Sequence, residues 1–395
     1  MKGQLFKVSF LLALALILSM SFSYAANLDI HIKPFKFDLG LQDKVVYNDN
    51  VGYATNANSK SSWGNQIAAY LNVELPFGEI HNFTSNSRTD WLMYFVHNEY
   101  NQVNSNIANN LDLVFNNWSL NVHDNVDIGS EPTTRELNTI TGSLLVKYVN
   151  SLGFAAQGDL GKLKLSTGFD WLTYHCNKTY ELMERDAYSV FVDGAFAFTP
   201  IIDGFVHGTY ARTQRPSINM NNSNQGTLSG GVRGELTPYL VGELGAGYGY
   251  TGFDKKEQAT DTSDYSGVVT QCSLTNRVFK HTTQKAYFEI APEQGYNVGN
   301  FYRTILARYN LTHQLNRKVF LGGLFEYLNS RESNGGEAWH YREVSNIWKA
   351  GANVSWAILK DLNFVAGYTY TQKASSRHGK SYRQQAVTMG ARYQF

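Results

Sequence analysis

Charged side chains recur at two-residue spacing along several segments of this chain, and they are the residues best suited to chemistry. Arg, Lys, Asp and Glu can pair across neighbouring strands and brace a wall. They can also bind the hydroxyl and carboxylate groups of a solute. The sequence leaves both roles open. The candidates are Lys164, Asp170, Arg233, Glu235, Glu243, Arg308, Glu326, Lys349 and Arg392.

Two other patterns resemble a metal site and a nucleotide-binding site, but the residues around them do not support either function. His123, Asp124 and Asp127 are metal-ligating residue types, but adjacent residues of a strand face opposite sides, so His123 and Asp124 cannot easily share a metal. Glycines between Gly242 and Gly249 resemble a nucleotide-binding run, yet no helix follows and aromatic residues interleave. No nucleophile motif is present, so we predict no enzyme, no metal site and no cofactor.

The element that must position these side chains is the β-strand, because polarity alternates with period two. Asp124 interrupts the apolar face of one clear example, between Trp118 and Ile128. A carboxylate on a lipid-facing side is costly unless it lies near a rim or at a bulge. The apolar face of that segment is otherwise formed by Trp118, Leu120, Val122, Val126 and Ile128.

The same alternation predicts about eighteen strands (16–18), each of roughly 10 to 14 residues, as a tilted membrane strand requires. They outnumber the strands of a single soluble sandwich. The predicted spans are 35–47, 64–75, 90–101, 106–115, 118–128, 136–149, 162–175, 186–198, 204–214, 225–236, 240–252, 265–274, 279–289, 301–313, 318–329, 342–357, 363–372 and 382–395.

Connections between these strands alternate between tight turns, such as Asn116-Asn117, and long polar stretches, such as 253–264 and 330–341. Short turns on one side and long loops on the other are typical of membrane barrels. We therefore predict an all-β fold, a transmembrane antiparallel up-and-down β-barrel with short periplasmic turns and long extracellular loops. About eighteen strands leave room for an aqueous lumen, which the charged residues above would line.

The N-terminus predicts secretion. Lys2 and Lys7 precede an apolar run that is too short to span a bilayer, and a small-residue cleavage site follows, so residues 1–25 are interpreted as a signal peptide. Residues 26–395 then form a single barrel domain in the outer membrane of a Gram-negative bacterium, with outer-membrane lipid as its surroundings.

The net charge and the two cysteines give little information about partners or covalent links. The chain carries a net charge of +1, and removal of residues 1–25 leaves 32 basic and 33 acidic side chains. No basic block indicates nucleic acid as a partner. Cys176 and Cys272 are predicted to be unpaired, since the topology places them toward opposite rims.

The last segment resembles the terminal strand of bacterial outer-membrane barrels. Val387, Met389, Ala391, Tyr393 and Phe395 share one face, and the chain stops at the aromatic Phe395. The resemblance implies that Tyr393 and Phe395 form the signal for the barrel assembly machinery.

Three further segments resemble a family of outer-membrane porins often associated with exopolysaccharide or exosortase gene clusters. They are Val46 to Asn50, Leu120 to Asn125 and Tyr382 to Gly390. The resemblance implies a barrel that exports, or is permeable to, polysaccharide. The leading hypothesis is thus a channel for hydrophilic solutes or polysaccharide. The alternative is a structural or adhesive barrel whose extracellular loops bind a partner.

Overall fold

The structure is a computed structural model. The predicted signal peptide and Phe395 lie outside the residues that it describes. Those residues are 35–78, 80–131, 144–217, 220–256, 261–277, 279, 281–295, 299–333 and 342–394.

Within these residues, eighteen antiparallel strands form one sheet. Three short 3-10 helices, Asn56–Asn58, Asn98–Tyr100 and Lys178–Met183, lie in the connections. No described helix is both long and apolar enough to cross a bilayer. The strands are β1 (Lys36–Asn48), β2 (Ser62–Phe77), β3 (His81–Tyr94), β4 (Gln102–Phe115), β5 (Trp118–Glu131), β6 (Leu145–Asp159), β7 (Leu163–Cys176), β8 (Arg185–Thr199), β9 (Ile202–Gln214), β10 (Ser223–Thr237), β11 (Leu240–Phe253), β12 (Tyr265–Asn276), β13 (Thr282–Gln294), β14 (Phe301–Gln314), β15 (Val319–Glu332), β16 (Val344–Ala357), β17 (Leu362–Ser375) and β18 (Tyr382–Gln394).

The sheet closes because its first and last strands pair. Each strand hydrogen-bonds to its neighbours in sequence, and β1 pairs with β18 through nine residue pairs, from Gly40 opposite Gln394 to Asn48 opposite Ala386. A closed ring leaves no strand edge unpaired, which a bilayer requires because it offers no water to backbone groups. The predicted up-and-down barrel of eighteen strands is confirmed.

The two faces of the wall differ as the period-two pattern predicts. Apolar side chains on the outer face are exposed, among them Trp63, Leu228 and Leu244, because the surrounding phase is lipid rather than protein. The register sets Leu228 opposite Tyr248 and Leu244 opposite Cys272, so apolar side chains are cross-strand neighbours. Polar and charged side chains occupy the inner face.

Turns and loops alternate around the ring. The periplasmic turns are short, as between β4 and β5, and Gly78 and Gly161 adopt positive φ angles of 62° and 85° at two of them. The extracellular loops are longer, and β1 begins and β18 ends on the side of the short turns. Cys176 and Cys272 are unpaired, as predicted.

The third strand was predicted in the wrong place. It was expected at 90–101, whereas β3 runs from His81 to Tyr94. Its outer-face positions include Ser85, Ser87 and Thr89, which are polar, so the apolar half of the alternation is missing from the sequence.

The sixth strand was also misplaced. It was expected at 136–149, whereas β6 spans Leu145–Asp159. Its inner face carries the small residues Gly153 and Ala155 opposite Asp170 and Gly168 of β7, so the contrast between its two faces is weak.

Asp124 occupies the costly position on the outer face. The residue lies in the middle of β5, and the register runs without a shift from β4 through β5 to β6. Asp124 is therefore neither at a rim nor at a bulge. It is on the outer face, opposite Asn109 and Leu152, and only 8% exposed.

Ring closure depends on a glycine in the last strand. A Cβ at Gly390 would clash with the backbone oxygen of Asp43 in β1, where the two strands meet. We expect Gly390→Val to destabilise the barrel by about 1–3 kcal/mol. The loss of stability is measured as a lower temperature at which the folded barrel shifts to its unfolded electrophoretic mobility. Gly226→Val is the control, since no atom lies within 4 Å of a Cβ there; equal loss in both variants would contradict the prediction.

Candidate functional site

Two neighbouring strands of the inner wall form one predicted charge pair. Arg308 of β14 lies opposite Glu326 of β15, and the guanidinium donates to the carboxylate at 2.6 and 2.7 Å. Lys349 of β16 lies opposite Glu326 on its other side. Both guanidinium nitrogens contact the same carboxylate oxygen, Oε2, and this charged contact between β14 and β15 braces the adjacent strands.

Arg233 forms a longer bridge than the sequence suggests. Glu243 is its direct cross-strand neighbour, yet the Arg233 guanidinium donates to Asp193 at 2.8 Å, two strands away on β8. The Arg233 side chain lies over the Phe205 ring, and its guanidinium carbon is 5.2 Å from the ring centroid. Asp193 is also 3.5 Å from His207 of β9. Sequence reasoning missed Asp193, because its partner is set by the curvature of the wall.

Lys164 and Asp170 of β7 each have a partner on another strand. Lys164 donates to Asp203 of β9 at 3.1 Å. The Asp170 carboxylate lies 2.7 Å from the His123 Nε2 atom of β5. His123 thus belongs to an inner-wall pair, while Asp124 faces the opposite side. No group of three or more His, Cys, Asp or Glu suited to a metal ion occurs in the part of the chain that the structure describes.

Arg392 and Glu235 lie toward the periplasmic end. Arg392 of β18 stacks on the Tyr70 ring, 4.4 Å from its centroid, and its Nε donates to the Tyr70 hydroxyl at 2.7 Å. Tyr70 in turn lies over Gly40 of β1, where a side chain would clash with the ring. Glu235 is exposed at the end of β10, next to a bulge, and is separated from the other candidates.

A cavity of about 740 Å³ lies against the inner faces of β6 to β13. Lys164, Arg233, Asp193 and His207 line it with their charges paired as above. Two further acids of its lining, Glu243 and Glu289, have no basic partner among the described residues. Its other polar lining residues include Gln157, Ser166, Thr209, Gln225, Thr227, Ser229 and Gln271.

The extracellular mouth above this cavity is spanned by the loops. Arg215, in the loop after β9, is only 4% exposed. Its guanidinium donates to the Leu182 carbonyl of the 177–184 loop at 3.0 Å and to the Gly295 carbonyl after β13 at 2.8 Å. These two partners lie in the loops after β7 and after β13, which are well separated around the ring, so Arg215 ties loops together across the mouth.

An apolar cluster strengthens this closure. Tyr302 of β14 packs with Tyr180 and Met183 of the 3-10 helix after β7, and with Leu145 of β6. β14 and β6 are eight strands apart in the ring of eighteen. Aromatic burial between nearly opposite walls holds the loops inside the outer mouth. We call these loops, joined by Arg215 and the Tyr302 cluster, the lid.

Buried ion pairs extend the lid on the side of β15 to β17. Glu332 accepts from Arg377 at 2.7 Å. Glu343 is 1% exposed and bonds Lys373 at 3.0 Å and Lys380 at 3.4 Å. Burial alone would raise the pKa of Glu343, but the two ammonium groups outweigh it and hold that pKa below its ordinary value of 4.5. Burial lowers the pKa of Lys380 despite its contact with Glu343.

A closed strand ring with an apolar exterior, a charged interior and loops folded over one mouth defines an outer-membrane porin. A family profile described as "Putative beta-barrel porin 2" matches residues 35–395, and the chain belongs to this family. No curated protein matches the sequence.

Several solved bacterial structures are similar to this chain. OpdK of Pseudomonas aeruginosa has 10% sequence identity and a TM-score of 0.45, with 91% of this chain and 99% of that chain covered. OccAB3 of Acinetobacter baumannii has 10% identity and a TM-score of 0.48, with 91% and 99% covered. OccK2 of P. aeruginosa, solved in complex with glucuronate, has 9% identity and a TM-score of 0.48, with 91% and 98% covered.

Removal of the Arg215 side chain should loosen the lid. Each of its two bonds to loop carbonyls contributes about 1.5–3 kcal/mol, because the donor is charged and buried. We expect Arg215→Leu to increase the open fraction in single-channel recordings in planar bilayers. Arg212→Leu is the matched control, because Arg212 lies three residues earlier, near the end of β9, and faces outward. An unchanged gating pattern in Arg215→Leu would show that these bonds do not hold the mouth closed.

Acid should also loosen the lid. Because the folded-state pKa of Glu343 is lowered, its ion pairs stabilise the lid above pH 4.5, and this stabilisation is lost as the pH falls below that value. We expect channel opening, measured as open fraction between neutral pH and about pH 3.5, to rise on acidification. In Glu343→Gln the open fraction should be raised at neutral pH and depend less on pH; an undiminished dependence would assign the effect to other groups.

Proposed function

We propose that this porin passes small hydrophilic solutes, with a preference for cations. The observation that carries the proposal is the cavity against β6 to β13, in which basic side chains are neutralised by acids while Glu243 and Glu289 keep unbalanced negative charge. Acidic groups in a narrow, low-dielectric passage raise the local concentration of cations.

The pairing of the basic groups is the second support. Lys164 and Arg233 would attract anions if they were free, but Asp203 and Asp193 each hold one of them at hydrogen-bond distance. The wall-bracing role therefore accounts for most of the predicted charges. Glu243 is left over because Arg233 turns away from it toward β8.

The volume of the cavity suits small solutes. A cavity of about 740 Å³ is within the range of small-molecule sites. Export of an extended polysaccharide, which the family resemblance implies, would need the lid to move away from the mouth. Amide and hydroxyl groups in the cavity lining, including Gln157, Gln225 and Gln271, also suit neutral hydroxylated solutes.

Replacement of the two unpaired acids tests the selectivity. We expect Glu243→Gln with Glu289→Gln to lower the cation-to-anion permeability ratio roughly two- to threefold, since the glutamines keep the shape and remove the charge. Reversal potentials across a KCl gradient measure this ratio. Glu235→Gln, at the exposed periplasmic end of β10, is the control. A ratio unaltered by the double replacement would refute the cation preference, and absence of any conductance would refute the channel.

We also propose that the C-terminal strand is the contact for the barrel assembly machinery. Tyr393 faces outward at the end of β18, 42% exposed, where an aromatic side chain is accessible before the ring closes. This segment must be recognised before it pairs with β1, because pairing removes its free edge.

The terminal aromatic gives a direct test of that contact. We expect Phe395→Ser to reduce the folded barrel recovered from outer membranes, because the signal for assembly is weakened, while Gln394→Ser has little effect. Immunoblots of unheated membrane fractions report the folded form. Equal recovery of both variants would mean that the terminal aromatic is dispensable.

A further inference from the structure

The outer face of β3 to β6 carries a patch of polar side chains on a wall that otherwise faces lipid. The register puts Ser85 opposite Asn109, Asn109 opposite Asp124, and Thr89 opposite Ser105, on the same face as the exposed apolar residues. We call this set the β3–β6 polar patch. Its members are Ser85, Ser87, Thr89, Ser105, Asn109, Asp124 and Asn150.

The patch lies at the depth of the hydrocarbon layer. On β3 its residues are bounded on the outer face by Phe83 toward the periplasm and Trp91 toward the exterior. On β5, Asp124 lies between Trp118 and Ile128 on the outer face. Aromatic and large apolar residues mark the two edges of the apolar band of a barrel, so the polar groups fall inside that band.

Each member of the patch makes at least one hydrogen bond. The hydroxyl oxygens of Thr89 and Ser105 lie 3.0 Å apart, and the Ser87 hydroxyl donates to the Leu71 carbonyl at 3.4 Å. Asn150 donates to the Asp124 carboxylate at 2.7 Å, and Ser85 donates to the Asn109 side-chain oxygen at 2.8 Å. Asp124 has no basic partner among the described residues. An amide has two donor hydrogens and an acceptor oxygen, and a hydroxyl has two lone pairs, so donors and acceptors remain for a partner. Lipid chains offer none.

The opposite side of the ring shows what a lipid-facing wall of this protein looks like. Phe288 of β13, Ile305, Ala307 and Tyr309 of β14, and Phe325 of β15 are outer-face neighbours in register. None is charged or carries an amide. Polar side chains also occur elsewhere on the outer face, as where Asn65 of β2 donates to Asp43 of β1 at 2.7 Å, but the β3–β6 polar patch joins seven of them across four adjacent strands. Asp124 is its costliest member, because a carboxylate in lipid is unfavourable.

We propose that the β3–β6 polar patch is the contact with a second copy of this chain in the membrane. Asn and Ser side chains both donate and accept, so the patch is complementary to itself, as a symmetric contact between identical subunits requires. Asp124 does not oppose this contact, because it is recessed, 8% exposed, and already held by Asn150. Amides and hydroxyls, rather than carboxylates, meet across the contact, where polar groups stabilise association within lipid.

Photo-crosslinking in intact outer membranes tests the location of the contact. Benzoylphenylalanine is introduced in place of Ser87, in the patch, or of Ala307, on the apolar side, in cells that make two differently tagged copies of the full chain. We expect irradiation to join the two tags from the Ser87 position and not from Ala307. Crosslinks from Ser87 to another polypeptide only, or none that join the tags, would overturn the proposal.

A paired substitution distinguishes a subunit contact from a lipid-facing patch. Ser87→Leu with Asn109→Leu removes a hydroxyl and an amide of the proposed contact and should convert the oligomer to a monomer on native electrophoresis in mild detergent, with the barrel still folded by heat-modifiable mobility. If lipid covers the patch, the same variant keeps the wild-type oligomeric state and unfolds at a higher temperature, since polar groups have left the lipid face. Ala307→Leu, on the apolar side, should leave both measurements unchanged.

Discussion

The structure depends on one constraint, that every backbone N–H and C=O group at membrane depth must be paired within the protein. Pairing of β1 with β18 meets it, and this closure fixes the register of the strands between them. Once the ring is closed, each residue is committed to lipid or to the interior. The exposed apolar wall and the charged lumen are two consequences of the same pairing.

Closure also decides how the interior charges interact. A curved wall brings side chains two strands apart within reach, so Arg233 contacts Asp193 instead of its direct neighbour Glu243. Lys164 and Arg233, the lysine and arginine of the cavity lining, are neutralised by acids two strands away, and Glu243 and Glu289 leave the cavity with negative charge. Arg215 and Tyr302 then limit access from outside, because they join loops and walls from distant parts of the ring.

The same constraint explains the errors of sequence interpretation. β3 was misplaced because Ser85, Ser87 and Thr89 occupy positions where a lipid-facing strand normally has apolar residues. Asp124 interrupts the apolar face of β5 in the same region, and its mid-strand position is the costly one. Both features belong to the β3–β6 polar patch, where the outer wall is more polar than an ordinary lipid surface.

The sequence by itself determined the class of fold, the number of strands and the face on which Arg308, Glu326 and Lys349 lie. These features follow from period-two alternation and turn length, which are local and can be read along one strand. Only the tertiary structure decided that Arg233 pairs with Asp193, that Arg215 crosses the mouth, and that Glu243 is left without a base. Those contacts join residues up to 80 positions apart. They depend on the register and curvature of the closed ring, which no single segment encodes.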